Sequence, residues 1–556
     1  MLLAGVMTFW PHDPVQACTN FLVSRGASRD GSTIISYAAD SHDLYGSLVV
    51  RPAADYPPGS VRIIIDWDSG KRLGEIPQVP HTYRVVGNMN EHGLSIGETT
   101  WGGREELADP AGIIDYGSLM YIALERARTA REAIEVMTSL ANQYGYPSSG
   151  ESFSIADPQE VWLLEMIGKG KEKRGVVWAA CRIPEGYITA HANYPRIRRI
   201  DKELARWCRY SDDAISFARE KGYFKGRDEE FSFAEVYAPL DFEALRICEA
   251  RVWSFFRRAA PSLNLSPRYV MGDTNAEPLP LWIKPDRPLA VGDMFELMRD
   301  HFEDSPMYLG RGVGAGPFEL PYRWRPLTWE VDGVKYFNER STSTQQTGFS
   351  FVAQSRSSLP PELGGVLWFG VDDTASTVYM PIYAALEKSP PPLSPETADF
   401  HHFSWDSAFW VFNAVAHLAY GRYRDVIKDV RQVQRELEGT FLARQGEVEQ
   451  AALELYKQSP RLAREYLARY STEKVVEVLE RWRRLWQELF VKYLDGNVRD
   501  EKGNVTHPPY PPEWYRLIVK ESGLFYRVRD EKNPLPVPLI TPAGGCGTFC
   551  PLEPPR

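Results

Sequence analysis

A chain of 556 residues is long for one domain and fits two or three. Its net charge of -10, without a long basic run, argues against binding to nucleic acid or to an anionic membrane surface. With 43% hydrophobic and 12% aromatic residues it can bury a large core, which favours a globular enzyme over a disordered or fibrous protein. No apolar stretch reaches the roughly 18 residues of a membrane-spanning helix, so no membrane span is predicted.

The chain starts with a short apolar run, MLLAGVMTFW, which PHDPVQA separates from Cys18. Val15 and Ala17 stand at the -3 and -1 positions of a signal-peptidase site, although no positive residue precedes the run. We expect residues 1–17 to be a signal peptide or propeptide that is removed, and the protein to be exported to the periplasm or cell exterior. A cytoplasmic protein that matures itself, or an ordinary N-terminal strand, are the alternatives.

From Cys18 to about residue 195 the sequence is rich in strands, with one predicted helix, roughly Ser118 to Asn142. Gly145 would lie just past its end. The predicted strands alternate with Gly, Pro and Asp turns: CTNFLVS, STIISYA, SLVVRP, VRIIIDW and the hairpins YRVVGNMNEHGLSIGET and SFSIADPQEVWLLEM.

Residues 200–300 are mixed and mostly helical, and strands return in 325–385. The Pro-rich SPPPLSP at 389–395 is the strongest domain boundary, and long helices follow it, one of them beginning at Ser459-Pro460. We predict an α+β catalytic domain over 18–388, a helical C-terminal region over 396–500, and a Pro-rich tail, 501–556, on the surface. Periodicity does not decide whether the helical region packs on the core or builds a homo-oligomer interface.

Six cysteines are scattered along the chain without a C-x-x-C pair, which argues against structural zinc. No other pattern has the spacing of metal ligands, so no metal is predicted. Cys546 and Cys550 form a small disulfide or remain free, whereas Cys181, Cys208 and Cys248 are predicted to be core residues.

A cysteine that becomes the first residue has a chemical advantage. Its freed α-amine has a reference pKa of about 7.7–8.0, so one residue supplies both a nucleophile and its general base. Within an unbroken chain that nitrogen is an amide and accepts no proton. Hydrolysis by this route therefore requires cleavage of the Ala17–Cys18 bond.

The segment ACTNFLVSRGASRDGSTIISYAADSHD resembles the N-terminus of the cysteine N-terminal-nucleophile (Ntn) dipeptidases, peptidase family C69, which are related to penicillin V acylase and bile-salt hydrolase. The resemblance continues in GNMNEHGLSIGETTW, ITAHANYPRI and NERSTSTQQTGFSFVAQSR, and covers most of residues 18–390. It implies a four-layer αββα sandwich and a thiol peptidase that hydrolyses small peptides through a thioester acyl-enzyme. No metal or organic cofactor is implied.

The resemblance also implies roles for individual residues. Cys18 matches the nucleophile, Asp40 the acid that holds the thiol and the α-ammonium, and Asn193 the donor to the oxyanion. Arg340 matches a late Arg near the active centre, suited to clamp a substrate carboxylate. Tyr37 stands where the related acylases carry an Arg three residues before the Asp.

A second oxyanion donor is expected in the segment that follows GLSIGE, although the sequence does not identify its atom. The segment consists of Thr99, Thr100 and Trp101, which we take with Tyr37 as substrate-binding residues.

A dipeptidase is therefore the leading hypothesis. The runner-up is an N-acyl amide hydrolase of the penicillin V acylase or bile-salt hydrolase type, and a third possibility is an exported, non-catalytic protein with a blocked thiol. The preferred dipeptides, the agent that removes residues 1–17 and the number of subunits are not encoded in any recognisable pattern.

Overall fold

The computed structural model describes residues 18–528, so the predicted leader and the Cys546/Cys550 pair lie outside the described residues. The strands before residue 103 are β1 (Thr19–Val23), β2 (Thr33–Asp40), β3 (Val50–Arg51), β4 (Ala54–Asp55), β5 (Val61–Ile65), β6 (Arg72–Pro77), β7 (His81–Thr82), β8 (Val85–Val86), β9 (Met89–Asn90) and β10 (Ser95–Gly102).

Helices and strands alternate in the middle of the chain. They are α1 (Tyr116–Arg126), α2 (Ala130–Tyr144), β11 (Gly150–Ala156), β12 (Val161–Gly168), β13 (Val176–Arg182), β14 (Ile188–His191), β15 (Cys208–Tyr210), α3 (Ala214–Glu220), α4 (Phe233–Tyr237), α5 (Ala250–Ala259) and α6 (Val291–Met298). A π-helical turn, Ala244–Glu249, leads directly into α5.

Long helices dominate the C-terminal part. The elements are β16 (Thr328–Val331), β17 (Val334–Phe337), β18 (Thr347–Ser355), α7 (Pro361–Gly364), β19 (Gly365–Val371), β20 (Met380–Tyr383), α8 (Ala408–Tyr420), α9 (Tyr423–Gln458), α10 (Pro460–Lys492), β21 (Val498–Arg499), β22 (Val505–Thr506) and α11 (Pro512–Tyr526). None of the helices in residues 18–528 is long and apolar enough to cross a bilayer.

Two antiparallel sheets form the centre of the molecule. The six-stranded sheet has the order β14-β1-β2-β18-β19-β20, and the eight-stranded sheet has the order β15-β13-β12-β11-β10-β9-β8-β3. Strands β1 and β2 of the first sheet pack against β10 and β11 of the second. His191 of β14 joins the sheets, because its two ring nitrogens bond to Thr99 of β10 and Ser154 of β11, each at 2.7 Å.

Helices cover the outer side of each sheet. α1 and α2 share a hydrophobic core with the eight-stranded sheet, and α6, α8, α9 and α10 pack against the six-stranded sheet. The predicted α+β fold is confirmed, with layers in the order α, β, β, α.

The predicted single helix over 118–142 is wrong in one respect, since the structure has two helices, α1 and α2. Ala127 is extended and ends α1, while Thr129 caps α2 by accepting from the Glu132 backbone N–H. The Glu132 carboxylate in turn accepts from the Arg128 N–H at 2.7 Å. This T-x-x-E capping signal starts a new helix where the apolar spacing alone runs on.

The helical C-terminal region packs on the core of the same chain. The Ser471 hydroxyl of α10 accepts from the Tyr383 N–H of β20 at 3.1 Å, and Glu438 of α9 pairs with buried Arg299 at 2.5 Å. Even the Pro-rich boundary segment is anchored, because the Leu48 N–H donates to the Leu393 carbonyl at 2.8 Å. Of the two roles left open for these helices, the structure shows packing on the core of their own chain.

Cys181 and Cys208 are buried, as expected of core residues, and they form a disulfide that the sequence analysis did not predict. They are 27 residues apart in sequence but directly opposite each other on β13 and β15. Only the register of these two strands brings them together, and nothing in their spacing indicates it.

Trp482 anchors α10 to the layer beneath it, so its removal is expected to be costly. Its indole is fully buried and stacks on Phe412 with ring centres 4.8 Å apart. We expect Trp482→Ala to lower the free energy of unfolding by about 3–5 kcal/mol through the cavity it leaves. Chemical denaturation measures this.

Phe490 on the same helix is the matched control, because its side chain is 49% exposed. Phe490→Ala should change the free energy of unfolding by no more than about 0.5 kcal/mol. Equal losses in the two variants would mean that α10 is not packed as described.

Candidate active site

Cys18 directly precedes β1, the second strand of the six-stranded sheet, and its side chain is 5% exposed. Its Sγ lies 3.7 Å from the Tyr37 hydroxyl and 3.6 Å from Glu98 Oε1. Burial, together with the negative charges of Glu98 and Asp40, raises the pKa of the Cys18 thiol well above its ordinary value. The thiol is therefore protonated at neutral pH and needs a proton acceptor before it can attack.

Two buried glutamates lie beside the thiol, and the sequence analysis assigned no role to either. Glu98 is on β10, and Glu151 on β11 stands opposite Thr100, the next residue on the Glu98 face of its strand. The Tyr37 hydroxyl donates to Glu98, and the Thr100 hydroxyl donates to Glu151 at 2.9 Å. A phenol and a hydroxyl thus hold a carboxyl pair against the thiol.

The two carboxyl groups are hydrogen-bonded to each other and titrate together. Burial raises the pKa of Glu98, and burial together with the Glu98 charge raises the pKa of Glu151 well above its ordinary value. Glu151 therefore keeps its proton longer than Glu98 does. Loss of both protons would place two negative charges in contact, so ionisation of one carboxyl opposes ionisation of the other.

Asp40 is the last residue of β2, and both oxygens of its carboxylate have a partner. It is paired with the Arg340 guanidinium and accepts from the Thr347 hydroxyl at 2.6 Å. Burial raises the pKa of Asp40, and the charge of Arg340 and the Thr347 hydrogen bond oppose that rise. Its backbone N–H bonds to the Cys18 sulfur, so Asp40 contacts the thiol through its main chain.

Arg340 is 4% exposed and lines a small cavity together with Tyr322, Arg325 and Thr344. Its Nη2 binds Asp40, whereas Nε and Nη1 have no hydrogen-bond partner among the described residues. A buried guanidinium with two unused N–H donors is arranged to receive an anion.

Asn193 follows β14 and has a left-handed backbone with φ 56°, a conformation that asparagine tolerates better than most residues. Its Nδ2 donates to the Thr100 carbonyl at 2.5 Å, and its Oδ1 accepts from Arg251 at 2.9 Å. The side-chain amide is therefore fixed in orientation, with its N–H group directed toward β10.

Arg251 near the start of α5 is a residue that the sequence analysis missed. Its side chain is fully buried and donates to the Cys18 carbonyl at 2.6 Å, to the Thr19 hydroxyl at 2.8 Å and to Asn193. Burial, with the nearby charge of Arg340, lowers the pKa of Arg251 to about 9. Within RICEARVW no motif marks it, because its role depends on a contact 233 residues away in sequence.

The three residues after GLSIGE take separate positions. Thr99 is fully buried and its hydroxyl is bound to His191, whose pKa is lowered to about 3 by burial. Thr100 contacts the site through Glu151 and Asn193, as described above. The Trp101 ring packs against Gly150, and its Nε1 has no partner within residues 18–528.

The structure thus brings Cys18, Tyr37, Asp40, Asn193 and Arg340 into one connected network, with Thr100 at its edge. Glu98, Glu151 and Arg251 are additions to it. Nowhere in residues 18–528 do three His, Cys, Asp or Glu side chains gather in a way that could hold a metal ion.

Comparison with known proteins gives a consistent result. A sequence profile described as Peptidase family C69 matches residues 17–436, so the match starts one residue ahead of Cys18. A probable dipeptidase B of Streptococcus pyogenes serotype M1 is 21% identical over 490 residues, which are 84% of this chain and 91% of that protein. A probable dipeptidase of Latilactobacillus sakei is 22% identical over 456 residues, 77% of this chain and 87% of its own length.

The charge of Glu98 should be measurable in the reactivity of Cys18. Because that negative charge raises the thiol pKa, Glu98→Gln should lower it, and the pH profile of Cys18 alkylation by iodoacetamide should move about one to three units toward lower pH. Peptide mass spectrometry measures the alkylation at each pH.

Glu165→Gln is the matched control. Glu165 is a fully buried carboxyl of the same sheet whose oxygens accept from the backbone of Arg196 and Ile197 rather than from Cys18. Its variant should keep the wild-type profile. A Glu98→Gln profile that does not move would show that the carboxylate does not act on the thiol.

Proposed function

The chain belongs to peptidase family C69, and on that premise we propose that it is a dipeptidase whose nucleophile is the thiol of Cys18. The observation that carries the proposal is the set of contacts made by this thiol at the start of β1. Its sulfur contacts Glu98 of the carboxyl pair and the backbone of Asp40, whose carboxylate binds an Arg with unused donors. The dipeptidase names of the relatives support the substrate class.

The proton acceptor that we propose is the α-amine of Cys18 itself, freed by removal of residues 1–17. The raised pKa of the thiol makes an acceptor necessary. An α-amine has a reference pKa of about 7.7–8.0, which suits proton exchange near neutral pH. No histidine or other neutral base contacts Cys18 among the described residues, since its Sγ contacts only Tyr37, Glu98 and the Asp40 backbone.

The proposed reaction has two steps. The amine takes the thiol proton, sulfur attacks the peptide carbonyl carbon, and the carbonyl oxygen becomes an oxyanion to which Asn193 Nδ2 donates. The ammonium then protonates the leaving nitrogen, the C–N bond breaks, and the C-terminal amino acid leaves. The N-terminal residue remains bound to the sulfur as a thioester. In the second step a water molecule gives a proton to the amine and attacks the thioester carbon, the C–S bond breaks, the N-terminal amino acid is released, and the sulfur takes the proton back from the ammonium.

Asp40 and Arg340 have complementary roles in this proposal. Asp40 fixes the thiol through its backbone N–H and places a negative charge near the α-ammonium that forms during the reaction. Arg340 offers Nε and Nη1 as a fork to the C-terminal carboxylate of the dipeptide. Holding that carboxylate sets the distance between the scissile bond and the end of the substrate.

We further propose that the protein is exported. The Cys181–Cys208 disulfide supports this location, because such bonds persist mainly in oxidising compartments.

The nucleophile is tested by substitution. Cys18→Ala should lower kcat/KM for a panel of unblocked dipeptides about 10⁴-fold or more, as removal of a covalent nucleophile does elsewhere. Cys248→Ala, which removes the other free thiol of the described residues, should stay within about fivefold of wild type, because this buried thiol donates only to a carbonyl. N-terminal sequencing of the active protein should start at Cys18, and full activity in a protein that keeps residues 1–17 would contradict the amine-base mechanism.

Location is tested by cell fractionation. The processed chain, with Cys181 and Cys208 oxidised, should be found in the periplasmic or extracellular fraction. Recovery of all processed protein from the cytoplasm with both thiols reduced would contradict export.

A further inference from the structure

The mechanism above leaves the Glu98 and Glu151 pair without a function. Two carboxyl groups that are 2% and 0% exposed are costly to bury side by side unless something offsets the charge. Apart from the proton that they share, Glu98 Oε2 and Glu151 Oε2 receive no donor from residues 18–528. The pair therefore lacks a cationic donor.

An ammonium group fits this deficit in charge. The pair offers two buried oxygens without a donor, Glu98 Oε2 and Glu151 Oε2, and an α-ammonium carries one positive charge with three N–H donors. A guanidinium or ammonium of the protein does not fill the place, since Glu98 and Glu151 form no ion pair with an Arg or Lys in the described chain, whereas many other buried carboxylates do.

The distances also fit a dipeptide. A carbon under attack lies about 3–3.5 Å from its nucleophile, and in an unblocked dipeptide the ammonium nitrogen lies about 2.5 Å from the scissile carbonyl carbon. Glu98 Oε1 is 3.6 Å from the Cys18 sulfur. An ammonium attached one carbon away from the attacked carbonyl therefore reaches the carboxylate at hydrogen-bonding distance.

A second feature, independent of the carboxyls, indicates a ligand with two charges. Arg340, 4% exposed, presents the unpartnered donor nitrogens Nε and Nη1 and belongs to the same network through Asp40. A buried anion receptor and a buried cation receptor in the network of one thiol are complementary to a short zwitterion.

Resting on the dipeptidase function proposed above, we propose that Glu98, hydrogen-bonded to Glu151, binds the α-ammonium of the substrate and restricts hydrolysis to peptides with an unblocked N-terminus. A substrate whose amine is acylated brings no charge and leaves the buried carboxylate unpaired, so it is rejected. The bound ammonium also offsets the negative charge that keeps the thiol protonated, which favours thiolate formation when a proper substrate is present.

The experiment compares each unblocked dipeptide of a panel with its N-acetyl counterpart, for wild type and for Glu98→Gln. Wild type should prefer the unblocked member by a factor of about 10³ or more in kcat/KM. Glu98→Gln should lower kcat/KM for the unblocked member about 10²-fold or more, mainly through KM, and should leave the acetylated member unchanged or raise it, because the thiol becomes more acidic. A loss of kcat/KM is therefore expected for the unblocked member alone.

One further variant serves as the comparison. Glu165→Gln should leave the preference for the unblocked member at its wild-type value. Thermal unfolding of each variant establishes that it is folded.

A second test measures inhibition of the wild-type enzyme alone. L-alaninamide, which has the ammonium but no carboxylate, should inhibit dipeptide hydrolysis competitively, with a Ki at least about 10²-fold lower than that of N-acetyl-L-alaninamide.

The outcomes separate the two proposals. Absence of hydrolysis of every unblocked dipeptide by wild type would overturn the dipeptidase function itself. Efficient hydrolysis of dipeptides with an unchanged preference in Glu98→Gln, or equal inhibition by the two amides, would leave that function standing and overturn the role of Glu98.

Discussion

The active centre depends on the buried guanidinium of Arg251. It bonds to the Cys18 carbonyl, the Thr19 hydroxyl and the Asn193 side chain, and so ties the start of β1 to the segment after β14 and to α5. Cys18 lies just before β1 and outside the pairing of β1 with β14 and β2, so this contact fixes its backbone where the strand pairing does not. The π-helical turn before α5 is the kind of local irregularity that often accompanies a functional site.

The site also holds two buried arginines, Arg251 and Arg340. The pKa of Arg251 is lowered to about 9, chiefly by desolvation, and the nearby Arg340 adds to the cost of keeping both cations charged. Asp40, which is paired with Arg340, offsets part of that cost. Glu98 and Glu151 are buried acidic groups without such a partner among the described residues. The buried charged groups of the site thus stabilise one another only in part, as expected of a site arranged for a charged ligand rather than for stability.

The sequence predicted the frame of this site well. TGFSFVAQS coincides with β18, and Cys18, Asp40, Asn193 and Arg340, taken from separate motifs, lie in one network. What it did not predict depends on tertiary register. Glu98 and Glu151 become neighbours only through the pairing of β10 with β11, and Cys181 meets Cys208 only through the pairing of β13 with β15. The apolar spacing of α5 indicates a buried helix, but it does not identify the partners of the Arg251 guanidinium.

Position 37 connects the fold to the choice of substrate. In the related acylases an Arg stands three residues before the Asp, whereas here Tyr37 donates to Glu98 and contacts the Cys18 sulfur. An Arg at this place would neutralise Glu98 from within the protein, and a neutral acyl group could then lie against it without leaving a charge unpaired. A phenol supplies one hydrogen bond and no charge, so it gives the Glu98 and Glu151 carboxyl pair no positively charged partner. On the proposal that Glu98 binds the substrate ammonium, a tyrosine at position 37 leaves the compensating positive charge to be supplied by the substrate rather than by the enzyme.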